Sequence, residues 1–162
     1  METHKKHFQK RFGYTLERTV ENKPYREKFI TQEQIDFMLE QRYGHERLYD
    51  DLEDLHKWLD QAFHDGRRVG FAFSEIYKGE FKLDKLYIHP DVQRRGVGGQ
   101  LIAHVAERAK KAGYPCVILQ VNKRNVNAIN SYQKYGFVVR EVTVDDIGHG
   151  YVMDDYVMEK KL

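Results

Sequence analysis

The stretch FKLDKLYIHPDVQRRGVGGQ, Phe81 to Gln100, decides the fold and reads in three pieces. Phe81 to Ile88 alternates as a half-buried strand does, with Phe81, Leu83 and Tyr87 assigned to one face and Lys82, Asp84 and Leu86 to the other. His89-Pro90 ends it, because proline has no N–H for a ladder and restricts the residue before it. Gln93 to Gly99 forms a glycine-rich turn, and a helical pattern begins at about Gly98. A strand that passes through glycines into a helix makes an anion site, since the first helical turn carries unpaired N–H groups and the positive end of the macrodipole. Gly96, Gly98 and Gly99 are expected to let a ligand approach the backbone, and Arg94 and Arg95 add positive charge. The expectation is a phosphate or pyrophosphate cradle.

Two phosphate loops are excluded by their defining residues. A P-loop ends in Gly-Lys-Ser/Thr, where this chain has Gly99-Gln100-Leu101. The dinucleotide fingerprint needs a last glycine that Gly96-Val97-Gly98-Gly99-Gln100-Leu101 lacks. The pattern present is Gln-x-x-Gly-x-Gly, at Gln93, Gly96 and Gly98, after a strand ending Leu86-Tyr87-Ile88-His89-Pro90. In this the sequence resembles the GNAT superfamily of N-acetyltransferases, which hold the pyrophosphate of acetyl-CoA on such a loop.

Composition bounds the rest. A chain of 162 residues fits one domain over 1–162, with 1–11 expected as a mobile basic arm. Lys+Arg 27 against Asp+Glu 25 gives +2, too balanced for nucleic acid to be the main partner. The N-terminal METHKKHFQKR lacks the apolar core of a secretory signal, and no apolar run is long enough to cross a bilayer, so no membrane partner is expected. The single Cys116 cannot form an intrachain disulfide, which makes a reducing cytoplasm the default. The histidines are scattered without ligand spacing, so no metal is expected.

Along the chain, Tyr14 to Val20 alternates as a first strand, and Thr31 caps a helical stretch that Gly44 ends. Leu48, Leu52 and Leu55 mark a second helical face. His56 to Phe63 and Arg67 to Ile76 read as strands around a hairpin at Asp65-Gly66, and Tyr77 to Glu80 turns into the strand from Phe81. Leu101, Val105, Ala109 and Ala112 mark a helix over 100–112 that Gly113 caps. Cys116 to Val121 is an apolar strand reached by that crossover, with Cys116 as a small buried hydrophobe. Asn125 or Asn127 caps a short helix with Ile129, Tyr132 and Tyr135 on one side. Phe137 to Val144 and Tyr151 to Lys160 are strands around a polar loop at 145–150.

Asn125, Ala128, Tyr132, Gly136 and Phe137 match the second GNAT signature, in the right order after the first. The resemblance covers 81–137 closely and implies an α/β (α+β) fold, a mixed, partly splayed sheet flanked by helices as in acyl-CoA N-acyltransferases. It implies that the backbone of Leu86, Tyr87 and Ile88 pairs with pantetheine, that the pyrophosphate rests on N–H groups of the loop holding Gln93, Arg94, Arg95, Gly96, Val97, Gly98 and Gly99, and that Asn125 and Tyr132 also reach the cofactor. It implies acetyl-CoA as acetyl donor and a small-molecule or peptide amine as acceptor, with the 45–60 region lining the acceptor side. A homodimer is compatible with it.

In such a reaction a neutral amine attacks a thioester carbonyl, so the ammonium must first lose a proton. Tyr132 resembles the family's general acid for the departing thiolate. For the base the resemblance gives no fixed position; Glu75 is the first candidate and Asp84 the second. The acids at Asp145-Asp146 and Asp154-Asp155, with those of 45–60, tilt the acceptor toward a polyamine-like amine. Protein or peptide acceptors and a non-catalytic acyl-CoA sensor remain the competing readings.

Overall fold

The structure, a computed structural model, describes residues 54–148 and 150–162. The expected arm, first strand and the helices before residue 54 lie outside the described residues. Leu55 to Leu162 form one compact unit.

Three antiparallel strands open it: β1 (Lys57–His64), β2 (Arg67–Tyr77) and β3 (Glu80–Ile88). Asp65 and Lys78 take positive φ ahead of Gly66 and Gly79, so each hairpin is closed by a tight pair of left-handed residues. Leu55, assigned to a helical face by its spacing, instead lies in the turn before β1 and is 87% exposed. A 3-10 turn, Pro90–Val92, leads to α1 (Val97–Lys111), then β4 (Cys116–Asn122), α2 (Val126–Lys134), β5 (Val138–Gly148) and β6 (Tyr151–Lys161). The six strands are ordered β1-β2-β3-β4-β6-β5. β5 runs further than its polar end suggests: Asp145 and Asp146 pair with Met153 and Val152 rather than forming a loop.

The core lies between the sheet and α1. Leu101, Ile102, Val105, Ala106 and Ala109 of α1 are buried with Ala72, Phe81, Leu83, Val117 and Leu119 from the strands. Phe81 is fully enclosed, stacked on Trp58 at 5.2 Å and met edge-on by Tyr114 at 5.5 Å. Tyr114 is delivered there by the end of α1. Gly113, at φ +83°, lets its own N–H bond Lys110 and the Tyr114 N–H bond Ala109, closing the helix and turning the ring inward.

One irregularity governs the central strand. Phe73 pairs with Lys85 but Ser74 pairs with Leu83, so Asp84 is an extra residue in β3. Such a bulge shifts the side-chain alternation by one position. Phe81 and Leu83 face the core before it; after it Leu86 and Ile88 do, while Tyr87 turns to the other face against Phe71 at 5.8 Å. The sequence alternation had grouped Tyr87 with Phe81 and Leu83, because nothing in the residue types announces the bulge.

β3 and β4 are parallel, and their ladder consists of Phe81↔Val117 and Lys82↔Ile118. Past those pairs β4 continues to Asn122 in register with β6 and forms no further pair with β3. The sheet is therefore splayed toward the C-terminal end of β3, as the resemblance implied.

Phe81→Ala, which empties the centre of this core, is expected to cost about 3–5 kcal/mol, measured by urea unfolding with an unchanged m-value. A loss below about 1 kcal/mol would place the stabilising core elsewhere.

Candidate active site

The opening of the sheet leads to the loop between β3 and α1. Arg94 (φ 63°) and Gly96 (φ 86°) are both left-handed, with Gly96 at the N-cap of α1 and no side chain capping the helix. Alternation of this kind turns successive N–H groups into one concavity that suits an anion. The first bond of α1 runs from the Gln100 N–H to the Gly96 carbonyl, 3.1 Å, so the N–H groups of Gly96 to Gly99 precede any helical partner. Arg94 and Arg95 are exposed beside them. The Gln93 amide donates to the Ile88 carbonyl at 3.1 Å, and the His89 N–H to Val69 at 2.8 Å, which ties the loop to the end of β3. Gln93 thus holds the loop.

The glycines of this loop do different things. A methyl group at Gly98 would sit 3.6 Å from Ile88, ordinary contact, so protein packing does not require a glycine there. At Gly99 it would come within 2.5 Å of the Tyr135 ring, so that glycine makes room for Tyr135.

The second signature is built from helix punctuation. The Asn125 side chain accepts from the Ala128 N–H at 3.2 Å and caps α2. At the other end Gly136, φ +87°, lets its N–H bond Gln133 and the Phe137 N–H bond Tyr132, and the Tyr132 and Phe137 rings meet edge-on at 5.7 Å. Tyr132 is half-buried against the core, so its ring carries a packing duty whatever its hydroxyl does.

Glu75 belongs to a group of charges on the face of β2 and β3 turned away from α1. Lys82, its cross-strand partner, lies 3.9 Å from Glu75 and 2.9 Å from Asp84. Lys85, brought to the same face by the bulge, also bonds Asp84. The Lys82 ammonium sits 4.8 Å over the Tyr77 ring and that of Lys85 5.4 Å over Phe73. Burial first, then the Asp84 charge, raise the Glu75 carboxyl above its ordinary value against the pull of Lys82. Burial alone would raise Asp84 too, but Lys85 and Lys82 outweigh it and hold Asp84 well below the usual carboxylate range. Two carboxylates on one face are thus driven apart: Asp84 is held as an anion, and Glu75 binds a proton more readily than an ordinary carboxylate. Glu75 suits a general base better than Asp84 does.

Other groups escaped the sequence reading or changed meaning. Asp60 on β1 grips Arg108 of α1 by two bonds of 2.5 and 2.6 Å, with the guanidinium 5.6 Å over Trp58, a contact across 48 residues that no local pattern signals. The acids of β5 and β6 divide between faces, with Asp145 and Asp155 on one, Asp146 and Asp154 on the other. Asp154 pairs with Lys123. At Cys116, burial and the charges of Glu159 and Glu80 push the thiol up, away from a reactive thiolate. Among the described residues no group of His, Cys, Asp and Glu gathers as a metal site would need.

These features coincide with a known family. The sequence profile of the Acetyltransferase (GNAT) family matches residues 18–137, and the chain belongs to that family. Ribosomal protein bS18-alanine N-acetyltransferase of Escherichia coli K12 is 31% identical over 77 residues, 48% of this chain and 52% of that protein. The chain thus spans about half the length of the relatives of this kind that it matches. Spermidine N(1)-acetyltransferase of Thermoplasma acidophilum is 26% identical over 135 residues, 81% of this chain and 78% of its own. The structure of PaiA N-acetyltransferase from Thermoplasma acidophilum, solved with coenzyme A, superposes with TM-score 0.69 at 25% identity over 85% of this chain and 83% of that one.

The charge group predicts a pH effect. Asp84 is depressed in the folded state, so its stabilisation is full above the unfolded carboxylate value near ~3.9 and is lost as pH falls toward the folded value. Asp84→Asn should therefore cost roughly 1–3 kcal/mol at pH 7 and flatten the loss of stability with acid below pH ~4, read by denaturant midpoints across pH. An unchanged acid profile would mean that Asp84 is not held by its lysines.

Proposed function

We propose that the chain is an acetyl-CoA-dependent N-acetyltransferase acting on a small, polyamine-like primary amine. One observation carries this: the β3–β4 ladder stops at Lys82↔Ile118, and the opening runs along Leu86 to Ile88 into an uncapped helix N-terminus. A strand edge suits the amides of pantetheine, and clustered N–H groups suit a pyrophosphate.

In this reading the pyrophosphate rests on Gly96 to Gly99, with Arg94 and Arg95 screening its charge, and the pantetheine lies along Leu86 to Ile88. Glu75 accepts the proton that the ammonium must lose, directly or through water. The amine nitrogen then forms a bond to the thioester carbon, and the carbonyl electron pair moves to oxygen, where a backbone N–H near Tyr87 or Ile88 serves as donor. When the carbonyl re-forms, the C–S bond breaks and the pair leaves on sulfur, which takes the Tyr132 phenol proton. The new amide nitrogen gives up its extra proton to water, and the phenolate is reprotonated from solvent. The products are acetylated amine and CoA thiol.

The polyamine reading is supported by the likeness to a spermidine acetyltransferase, matched over 81% of this chain, and by the exposed acids Asp145 and Asp146. A panel of spermidine, spermine, an alanine-terminal peptide and a lysine peptide, followed by release of CoA thiol, tests it. Spermidine or spermine should exceed the peptides in kcat/KM by about tenfold or more. Faster turnover of a peptide would overturn the acceptor class, and release from none of them would favour the sensor reading.

Two substitutions test the roles. Tyr132→Phe keeps the ring that packs on Phe137 and should lower kcat by roughly 10²–10⁴-fold with acetyl-CoA affinity nearly unchanged. Because the Glu75 carboxyl is raised, kcat/KM should fall on the acid side as that group protonates, and Glu75→Gln should remove this limb along with most of the activity. Wild-type turnover in either variant withdraws that residue's role.

A further inference from the structure

We propose that Tyr135 is a positioning residue for the cofactor: its ring is the support that holds the first turn of α1 in the shape that receives the pyrophosphate. This rests on the placement of that group on Gly96 to Gly99 given above. Tyr135 closes the C-terminus of α2, and a methyl group at Gly99 would fall 2.5 Å from its Cε1, 2.9 Å from Cζ and 3.1 Å from the hydroxyl. The ring therefore packs against a bare backbone turn, at the third residue of α1. That turn has no side-chain cap of its own; the Gln100 N–H on the Gly96 carbonyl and the Gln93 amide on Ile88 hold its backbone, and the Tyr135 ring adds side-chain packing at Gly99. Tyr135 is itself held from behind. Its carbonyl accepts from the Lys160 ammonium at 2.7 Å, and the same ammonium would meet a methyl group at Gly136 at 2.9 Å. β6, the end of α2 and the start of α1 thus form one connected support. It gives Gly99 a packing reason to be glycine, since a side chain there would meet the Tyr135 ring. It also links the cradle to the short helix that carries Tyr132, so that the two parts of the donor site are set by a common contact.

The test compares two acetyl donors, acetyl-CoA and acetyl-pantetheine, the second of which has no pyrophosphate. Tyr135→Leu should lower kcat/KM for acetyl-CoA about tenfold, mostly through KM, and leave acetyl-pantetheine within about twofold. Gly99→Ala should do the same, and in the Tyr135→Leu background, where the ring is gone, the added methyl should cost little further. The support is thus read as a non-additive pair. Should Gly99→Ala fail to fold, Tyr135→Leu alone decides. Wild-type donor preference in Tyr135→Leu, equal losses for both donors, or additive losses in the double variant would each overturn the proposal while leaving the cradle in place. A wild-type enzyme that uses both donors equally well would remove the cradle itself.

Discussion

The site described above depends on a ladder that stops. Parallel strands normally exchange backbone hydrogen bonds along their shared length, and β3 and β4 do so for the pairs Phe81↔Val117 and Lys82↔Ile118 before separating. β4 keeps its register with β6 through Asn122, while β3 keeps its register with β2 through Ile88. Each strand thus keeps its outer neighbour while the two part from each other within the one six-stranded sheet. Backbone polar groups at such an opening need other partners, and a ligand that offers amides in an extended conformation can supply them. The opening also ends at the loop where Gly96 starts α1 without a cap. The sheet defect and the anion-binding turn are consecutive in the chain, so a ligand with an extended arm and a phosphate head fits both.

The packing that keeps the opening from spreading lies at its closed end. Phe81, wedged between Trp58 and Tyr114, pins β3 to β1 and to the end of α1, while Val117 pins β4 to the same core. The bulge at Asp84 falls just beyond. It puts Leu86 and Ile88 on the core side and brings Lys85 round to share Asp84 with Lys82. A single inserted residue therefore does two things: it redirects the backbone along the opening and assembles the charge group beside Glu75, whose carboxyl is raised first by burial and then by the Asp84 charge, against the pull of the lysines.

What the sequence made legible follows from range. The strand, glycine loop and helix from Phe81 onward are local signals, and each formed within a residue or two of its expected place. So did the Gly136 ending of α2 and its asparagine cap, which falls on Asn125, the first of the two candidates, because caps are written in residues three to five positions apart. The bulge was not legible: Asp84 and Lys85 look like ordinary outward strand residues until the partner strand sets the count. That Gly99 also makes room for Tyr135 was not legible either, because the two lie 36 positions apart in the chain. The clasp of Asp60 on Arg108 is hidden for the same reason, as a strand and a helix must dock before those charges meet. The difference between Glu75 and Asp84 likewise needed the structure, since it is the hold of Lys82 and Lys85 on Asp84 that separates two similar carboxylates.

The central claim, that an extended donor lies in the opening and rests its phosphates on the start of α1, is tested most directly by residue-resolved amide hydrogen exchange with and without acetyl-CoA. The account predicts added protection at Gly96 to Gly99 and along Leu86 to Ile88, with little change at the closed end around Phe81 and Val117. Protection confined to β5 and β6, or none at Gly96 to Gly99 under conditions where acetyl-CoA is bound, would contradict it.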